Sequence, residues 1–460
     1  MRRSGVRSPS APPNPPTPIT IIARPPHKES VALPLNELSA GAAIGAVRAG
    51  SASVEAIVQT TFDRIDEREE DLRAWAWLDS EAALAAARAI DQRKDMGPLA
   101  GVTVGVKDII DTAGMPTSYG SPIYAAHRPA ADAYAVIALR NADAVIAGKT
   151  VTTEFASAFP SKTRHPHDAN FTPGGSSSGS AAAVAAHMVS AALGTQTAGS
   201  VIRPASFCGV VGFKPSFGWL NRAGVKPFAE SLDTIGVFVR RVADAGLVAG
   251  ALDGRTDWMN VEPLSKAPRL ALCRTPYWGQ AQDDGRAALD RAARLLAEAG
   301  ASVAAFDLPA SFAVLTDVHA TIMWWEGRRA FAHELAAAPS QVSEVLRGLL
   351  AKADDLSPRD HDRAQLAAAR ARTEIDGAFE DFDAILTLAA PGSPPPLSEG
   401  STGRPIFNAT WTLLHLPCIT VPGLSGDHGL PIGTQLVGRR GGEARLLAVA
   451  AWVESAFAPP

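Results

Sequence analysis

The sequence predicts an α/β fold, and two observations carry that expectation. Amphipathic helical stretches alternate with short apolar runs toward both ends of the chain, the order in which helices cover a sheet. The composition, 46% hydrophobic and 20% charged over 460 residues, supplies a large core and excludes a fibrous or wholly disordered chain. Length alone admits two or three domains or one large layered unit.

The chain opens on a stretch carrying Pro12, Pro13, Pro15, Pro16, Pro18, Pro25 and Pro26. Too few apolar residues accompany them to offset the entropy of ordering, so residues 1–30 are expected as a disordered tail. Arg2 and Arg3 are not followed by the apolar core and cleavage site of a twin-arginine signal. Ser53 then caps a helix whose apolar stripe is Val54, Ile57, Val58, Phe62 and Ile65. A second helix covers Ser80 to Arg93. Val102, Val104 and Val106 alternate before Lys107, the pattern of a strand ending on a polar residue. A helix at Ala131–Leu139 precedes a further short apolar run, Ala144–Ala147. Between Asp283 and Asp381 the chain is rich in Ala, Arg and Glu, with helices expected at Gly285–Ala299 and Pro358–Phe379 to cover the sheet. Met323, Trp324 and Trp325 are expected to fill core there. The strand Ile432–Val437 and the helix Glu443–Glu454 close the alternation.

Charge and cysteine usage narrow the function. Lys plus Arg (43) against Asp plus Glu (47) give a formal charge of −4 and a pI near 6.2, without the basic excess that nucleic acid requires. Cys208, Cys273 and Cys418 are widely spaced with no CxxC, which suggests neither a disulfide framework nor a thiolate zinc site. No apolar run approaches the ~20 residues needed to span a bilayer. A cytoplasmic protein without nucleic-acid or membrane partners is expected.

The chemistry concentrates between Thr172 and Ser200. Gly174 and Gly175 permit close backbone approach, three hydroxyls follow at Ser176, Ser177 and Ser178, and Ala181–Ala186 favours a tightly packed helix. A phosphate cradle is one reading, but Gly179 is followed by Ser180 where the Walker pattern needs lysine. Gly175-Ser176-Ser177-Ser178-Gly179 also satisfies the G-x-S-x-G nucleophile elbow, with Ser177 as nucleophile and His415 or His428 as base. The elbow needs a strand immediately before it, and Asn170-Phe171-Thr172-Pro173 offers none.

A third reading absorbs more of the chain. Gly174-Gly175-Ser176-Ser177-Ser178-Gly179-Ser180-Ala181-Ala182-Ala183, followed by Gly194-Thr195-Gln196-Thr197-Ala198-Gly199-Ser200-Val201-Ile202-Arg203-Pro204-Ala205, resembles the amidase signature family. Gly101–Asp108 is similar to the family's catalytic-lysine segment, and Phe207–Ser216 to the strand beyond its nucleophile. Leu416–Pro422 and Gly429–Gly438 continue the likeness, which spans about residue 35 to the C-terminus. It implies a single domain at 31–460, a three-layer α/β/α unit with one large, twisted, mostly parallel sheet.

The resemblance also implies roles. Ser200 is the nucleophile, Ser176 the bridging serine reached through a cis peptide from Gly175, and Lys107 the base. The backbone N–H groups of Thr197, Ala198, Gly199 and Ser200 form the oxyanion hole. Gly174, Gly175, Ser177 and Ser178 support the loop, and Arg203 either binds a substrate carboxylate or serves a structural ion pair, the latter preferred. A lysine is a base only when neutral, and its ordinary pKa near ~10.4 would leave it charged at pH 7, so burial among Val104, Val106, Ile109 and Ile110 has to lower it. The implied activity is hydrolysis of small-molecule amides through an acyl-enzyme, with carbamates (a urethanase activity) and esters open to the same chemistry. No cofactor and no metal are expected; the cluster His165-Pro166-His167-Asp168 reads as loop, and Cys208 as a buried small hydrophobe. A homodimer is the default assembly.

Two rival functions come from other classes. One is the glutaminase-type subunit of a tRNA-dependent amidotransferase; those subunits carry Asp where this chain has Gln196, which favours a stand-alone hydrolase. The other is a silent scaffold, against which Lys107, Ser176 and Ser200 stand together.

Overall fold

Eleven strands join in a single sheet in the computed structural model, which describes residues 33–458. The proline-rich stretch expected as a tail, residues 1–30, lies outside the described residues. In chain order the strands are β1 Trp75–Leu78, β2 Thr103–Lys107, β3 Val145–Thr150, β4 Ala191–Gln196, β5 Val211–Lys214 and β6 Thr234–Val239. They continue as β7 Arg269–Leu272, β8 Ser302–Ala305, β9 Ala384–Leu388, β10 Cys418–Ser425 and β11 Pro431–Val437. Across the sheet the order is β1-β3-β2-β4-β6-β5-β10-β11-β9-β7-β8.

The α/β expectation holds, with a refinement. Pairing is parallel in two blocks, β3-β2-β4 and β9-β7-β8, and antiparallel at the other joins, so the expected predominance of parallel pairing holds within the blocks and not across the sheet. Connection length accounts for part of this. A helix intervenes between β2 and β3 (Tyr134–Asn141), between β3 and β4 (Ser178–Ala185) and between β7 and β8 (Asp283–Glu298), as parallel crossovers require. A short turn joins β10 to β11 and forces them antiparallel.

Alternation along the strands builds the layers. Val145 and Ala147 of β3 face one apolar cluster and Ile146 the other; Phe238 of β6 faces the first, and Val237 and Val239 the second. Helices cover both. The first cluster takes the stripe Val54, Ile57, Val58, Phe62 and Ile65 together with Ala181–Val184, and the second takes Leu447, Val449 and Val453 of the closing helix.

The expected helices form with local adjustments. Ser53 caps Val54–Leu72 by accepting from the Ala56 N–H at 3.0 Å, and Ser80–Asp91 follows. The helix expected from Ala131 starts instead at Tyr134. Asp132 is diverted to accept from the Ala113 N–H at 2.7 Å, and the Ala133 N–H donates to Asp111. Asp283–Glu298 and Glu443–Phe457 match expectation, whereas the long helix stops at Ile375 and a separate short one covers Ala378–Asp381. No described helix is long and apolar enough to cross a membrane.

A buried carboxylate fastens the N-terminal helix Ala40–Arg48 to the helix Val242–Asp253. Asp244, 3% exposed, accepts from the Gly41 and Ala40 N–H groups at 2.8 and 3.1 Å. Asp244→Ala leaves both donors unpaired and is expected to destabilise the fold by about 1–3 kcal/mol, read from the urea midpoint.

Candidate active site

Parallel neighbours β3, β2 and β4 bring their carboxyl ends, Thr150, Lys107 and Gln196, to one edge of the sheet. Such edges are where α/β sheets present loops to ligands. Period two sets the facing in β2: Val104 and Val106 enter one cluster, so Lys107 is directed to the opposite face, toward the Gly/Ser loop.

Lys107 has no exposed surface. Its Nζ lies 2.8 Å from Ser176 Oγ, 2.8 Å from Thr195 Oγ1 and 3.4 Å from the Thr195 carbonyl. No carboxylate pairs with it among the described residues. Burial therefore drives its pKa well below the ordinary lysine value, opposed only by the more distant charge of Asp233. Lys149, equally buried on β3, is a contrast. It has Asp108 Oδ1 at 3.3 Å as well as the Ile110 carbonyl and Thr117 Oγ1 at 2.6 Å, and burial brings it only to about 8.

The loop that delivers Ser176 is fixed from several sides. Gly174 has φ +83°, which disfavours any residue with a Cβ, and the Gly175–Ser176 peptide bond is cis. The Thr153 N–H donates to the Ser176 carbonyl and the Gly179 N–H to Val151. Ser177 Oγ donates to the Thr195 carbonyl at 3.3 Å, Ser178 Oγ meets Ser161 Oγ at 2.6 Å, and Ser180 Oγ donates to Leu193 at 2.8 Å. Ser177 touches neither His415, which holds the Ser231 carbonyl at 2.8 Å, nor His428, which sits beside Phe171. The elbow constellation therefore does not assemble.

Beyond β4 the segment Thr197–Ser200 leads to the helix Ile202–Cys208, whose Pro204 lies against Gly174 and whose Arg203 reaches the Gly175 carbonyl. The N–H groups of Thr197, Ala198, Gly199 and Ser200 donate to no protein group among the described residues, whereas the carbonyls of Thr197, Ala198 and Gly199 all accept. Ser200 is 9% exposed, and its hydroxyl makes no hydrogen bond within the described residues. Lys107 and Ser176 are thus in direct contact, while Ser200 stands free at the end of the turn. Gln196 braces the turn from within: its Oε1 accepts from the Val201 and Ile202 N–H groups at 2.9 and 3.0 Å.

Arg203, 4% exposed, donates through Nη2 to the Gly175 carbonyl at 2.7 Å and through Nε to Thr402 at 2.9 Å. It pairs with no carboxylate among the described residues, and burial lowers it to about 10. It braces the cis peptide in place of the expected ion pair. His165 and His167 are engaged by the Phe207 and Cys208 carbonyls at 2.8 and 3.2 Å, and Cys208 is fully buried with its thiol pushed up. Trp324 and Met323 pack partly buried on the core as expected, while Trp325 stacks on His361 and meets the Arg329 guanidinium.

Sequence reasoning missed four residues here. Thr195 completes the lysine's surroundings. Asp233, pushed up to about 6 by burial, accepts from Thr197 Oγ1 at 2.6 Å and from the Phe228 and Ala229 N–H groups at 2.7 and 3.1 Å. His319 and Thr412 hold the carbonyls of Thr197 and Ala198. Asp233 was the findable one, as a lone acid directly before the apolar strand β6.

The fold and this edge are those of an α/β enzyme of the amidase class. Residues 56–447 match the Amidase family, and the chain belongs to it. It is similar to the A-type subunit of glutamyl-tRNA(Gln) amidotransferase from Geobacter metallireducens, at 36% identity over 88% of this chain and 94% of that protein. The same-named protein of Salinibacter ruber is 32% identical, over 88% of this chain and 97% of its own length. Among solved structures, the native peptide amidase from Stenotrophomonas maltophilia superposes with a TM-score of 0.80 at 30% identity, covering 92% of this chain and 97% of that one.

Gly199 leaves no room for a side chain: an added Cβ would lie 2.4 Å from Asn408 Oδ1 and 2.9 Å from Pro405 Cβ. Gly199→Ala is expected to cost about 1–3 kcal/mol of stability by overpacking, measured by chemical unfolding.

Proposed function

We propose that this protein is a serine hydrolase of amide C–N bonds, with Ser200 as nucleophile, Ser176 as proton relay and Lys107 as base. The observation that carries the reading is the 2.8 Å contact between Ser176 Oγ and an uncompensated, fully buried Lys107. A neutral amine accepts a proton, and in this reading Ser176 takes the nucleophile's proton as it gives its own to the amine. Ser200 Oγ attacks the carbonyl carbon, its proton moves to Ser176 and that of Ser176 to Lys107. The C–N bond breaks as the same path returns a proton to the departing nitrogen. Water then attacks the acyl-Ser200 ester and releases the acid.

The N–H groups of Thr197–Ser200 supply donors for the oxyanion that forms on attack. Carbamates and esters pass through the same oxyanion, so a urethanase or esterase activity belongs to this reading. Substrates are small molecules, and Arg203, engaged with Gly175 and Thr402, acts in support of the loop.

A second reading is favoured by the names of the relatives: a glutaminase-type subunit that works with partner subunits. Gln196, in place of the acid those subunits carry, supports the stand-alone enzyme. Purification from the native host separates the two, since a stable companion subunit would establish the second reading.

A fluorophosphonate should add once, at Ser200, and Ser200→Ala should abolish both the adduct and amide turnover. Lys107→Met should lower turnover by at least about 10³-fold in a folded protein, and Ser177→Ala far less. Labelling at Ser177 would refute the assignment. The pH dependence has a definite sign: the base works deprotonated and its pKa lies below the ordinary lysine value of 10.5. The rate should therefore rise with pH to a plateau reached before 10.5, and Lys107→Met should lose that limb. A rate falling from pH 6 to 9 would exclude a lysine base.

A further inference from the structure

The segment between β8 and β9, which sequence reading treated as a covering layer, reaches the turn beside Ser200. His319, on the helix Leu315–Ala330, is 2% exposed, and its Nε2 lies 2.9 Å from the Thr197 carbonyl. A carbonyl only accepts, so Nε2 carries the proton. Burial holds the ring neutral, with a pKa near 4.

Peptide geometry gives this contact its consequence. A peptide unit is a rigid plane in which, when trans, the C=O of one residue and the N–H of the next point in opposite directions. Holding the Thr197 oxygen therefore aims the Ala198 N–H. The same relation repeats along the turn. Thr412 Oγ1 donates to the Ala198 carbonyl at 2.8 Å and aims the Gly199 N–H, while accepting from Gln196 Nε2 at 3.0 Å. The Arg203 N–H donates to the Gly199 carbonyl at 3.0 Å and aims that of Ser200.

We propose that His319 is a positioning residue for the oxyanion hole, fixing the Thr197–Ala198 peptide plane so that the Ala198 N–H faces the attacked carbonyl oxygen, with Thr412 doing the same for Gly199. The inference rests on the proposed serine mechanism and adds residues from two distant segments to it. The helix carrying His319 is itself anchored near the site: Glu326, two turns on, accepts from the Ser231 N–H at 2.9 Å and from Ser231 Oγ at 2.6 Å. Ser231 lies two residues before Asp233, which holds the Thr197 side chain. One helix thus carries one grip on Thr197 and anchors the segment that carries the other.

The test measures second-order rates of Ser200 phosphonylation by a fluorophosphonate, whose adduct carries an oxygen where the oxyanion would lie. Wild type is compared with His319→Phe, which removes the donor, and His319→Gln, whose amide restores an N–H. Thr412→Val provides an independent plane, and thermal midpoints accompany every rate. His319→Phe and Thr412→Val are each expected to react about 10- to 100-fold more slowly, less than the ~10²–10³ loss on deleting a donor outright. His319→Gln should return to within about threefold of wild type. On any amide turned over, the loss should fall on kcat with KM unchanged. Wild-type rates in folded His319→Phe, or His319→Gln no faster than His319→Phe, overturn the proposal. Should His319→Phe fail to fold, a wild-type rate in Thr412→Val overturns it. Folded wild type that takes no label at all would instead sink the nucleophile assignment, and this inference with it.

Discussion

Keeping the Lys107 amine dry and without a counter-charge is the constraint from which the architecture of the site follows. A buried ammonium with no carboxylate beside it is costly, and the protein resolves this by shifting the group toward neutrality. Lys149, at the same depth one strand away, keeps Asp108 as a partner and is shifted less. The difference between the two lysines is one of company, not of burial. Hydroxyls suit a neutral amine because each can both donate and accept, and Ser176 and Thr195 are what Lys107 meets.

Bringing those hydroxyls to the strand end demands close packing of backbone. The helix Ser178–Ala185 contains only Ser, Gly, Ala and Val, and every residue from Ser178 to Val184 is buried. Small side chains let the preceding loop lie directly over β2 and β4, while Ser180 and Ser178 return their hydroxyls to backbone or neighbouring hydroxyl partners. Buried polar groups at this density are tolerable only when each has a partner. Arg203 takes the Gly175 carbonyl through Nη2, while its Nη1 is left without a partner among the described residues.

The turn after β4 obeys the opposite economy. The carbonyls of Thr197, Ala198 and Gly199 are occupied, and the N–H groups from Thr197 to Ser200 are free among the described residues. Unpaired backbone donors in a protected place are unfavourable unless something comes to accept from them. Gln196, Asp233, Arg203 and Thr412 each hold a part of the turn in that state.

The sequence by itself determined what is local. Ser53 caps a helix and Val54 to Ile65 fill its stripe because capping and period act within a few residues. Lys107 at a strand end and the small-residue helix were legible for the same reason. The resemblance supplied Ser176 and Ser200, whose motifs are long and contiguous. Tertiary structure alone decided the mixed pairing of the sheet, the late start of the helix at Tyr134 and the involvement of Thr195, Asp233, His319 and Thr412. Thr412 lies 214 residues from Ala198, and His319 lies 122 from Thr197. Contacts at such separations depend on strand order and on which crossover covers which face. No periodicity within a short window records those choices, because they are made by packing whole elements against one another.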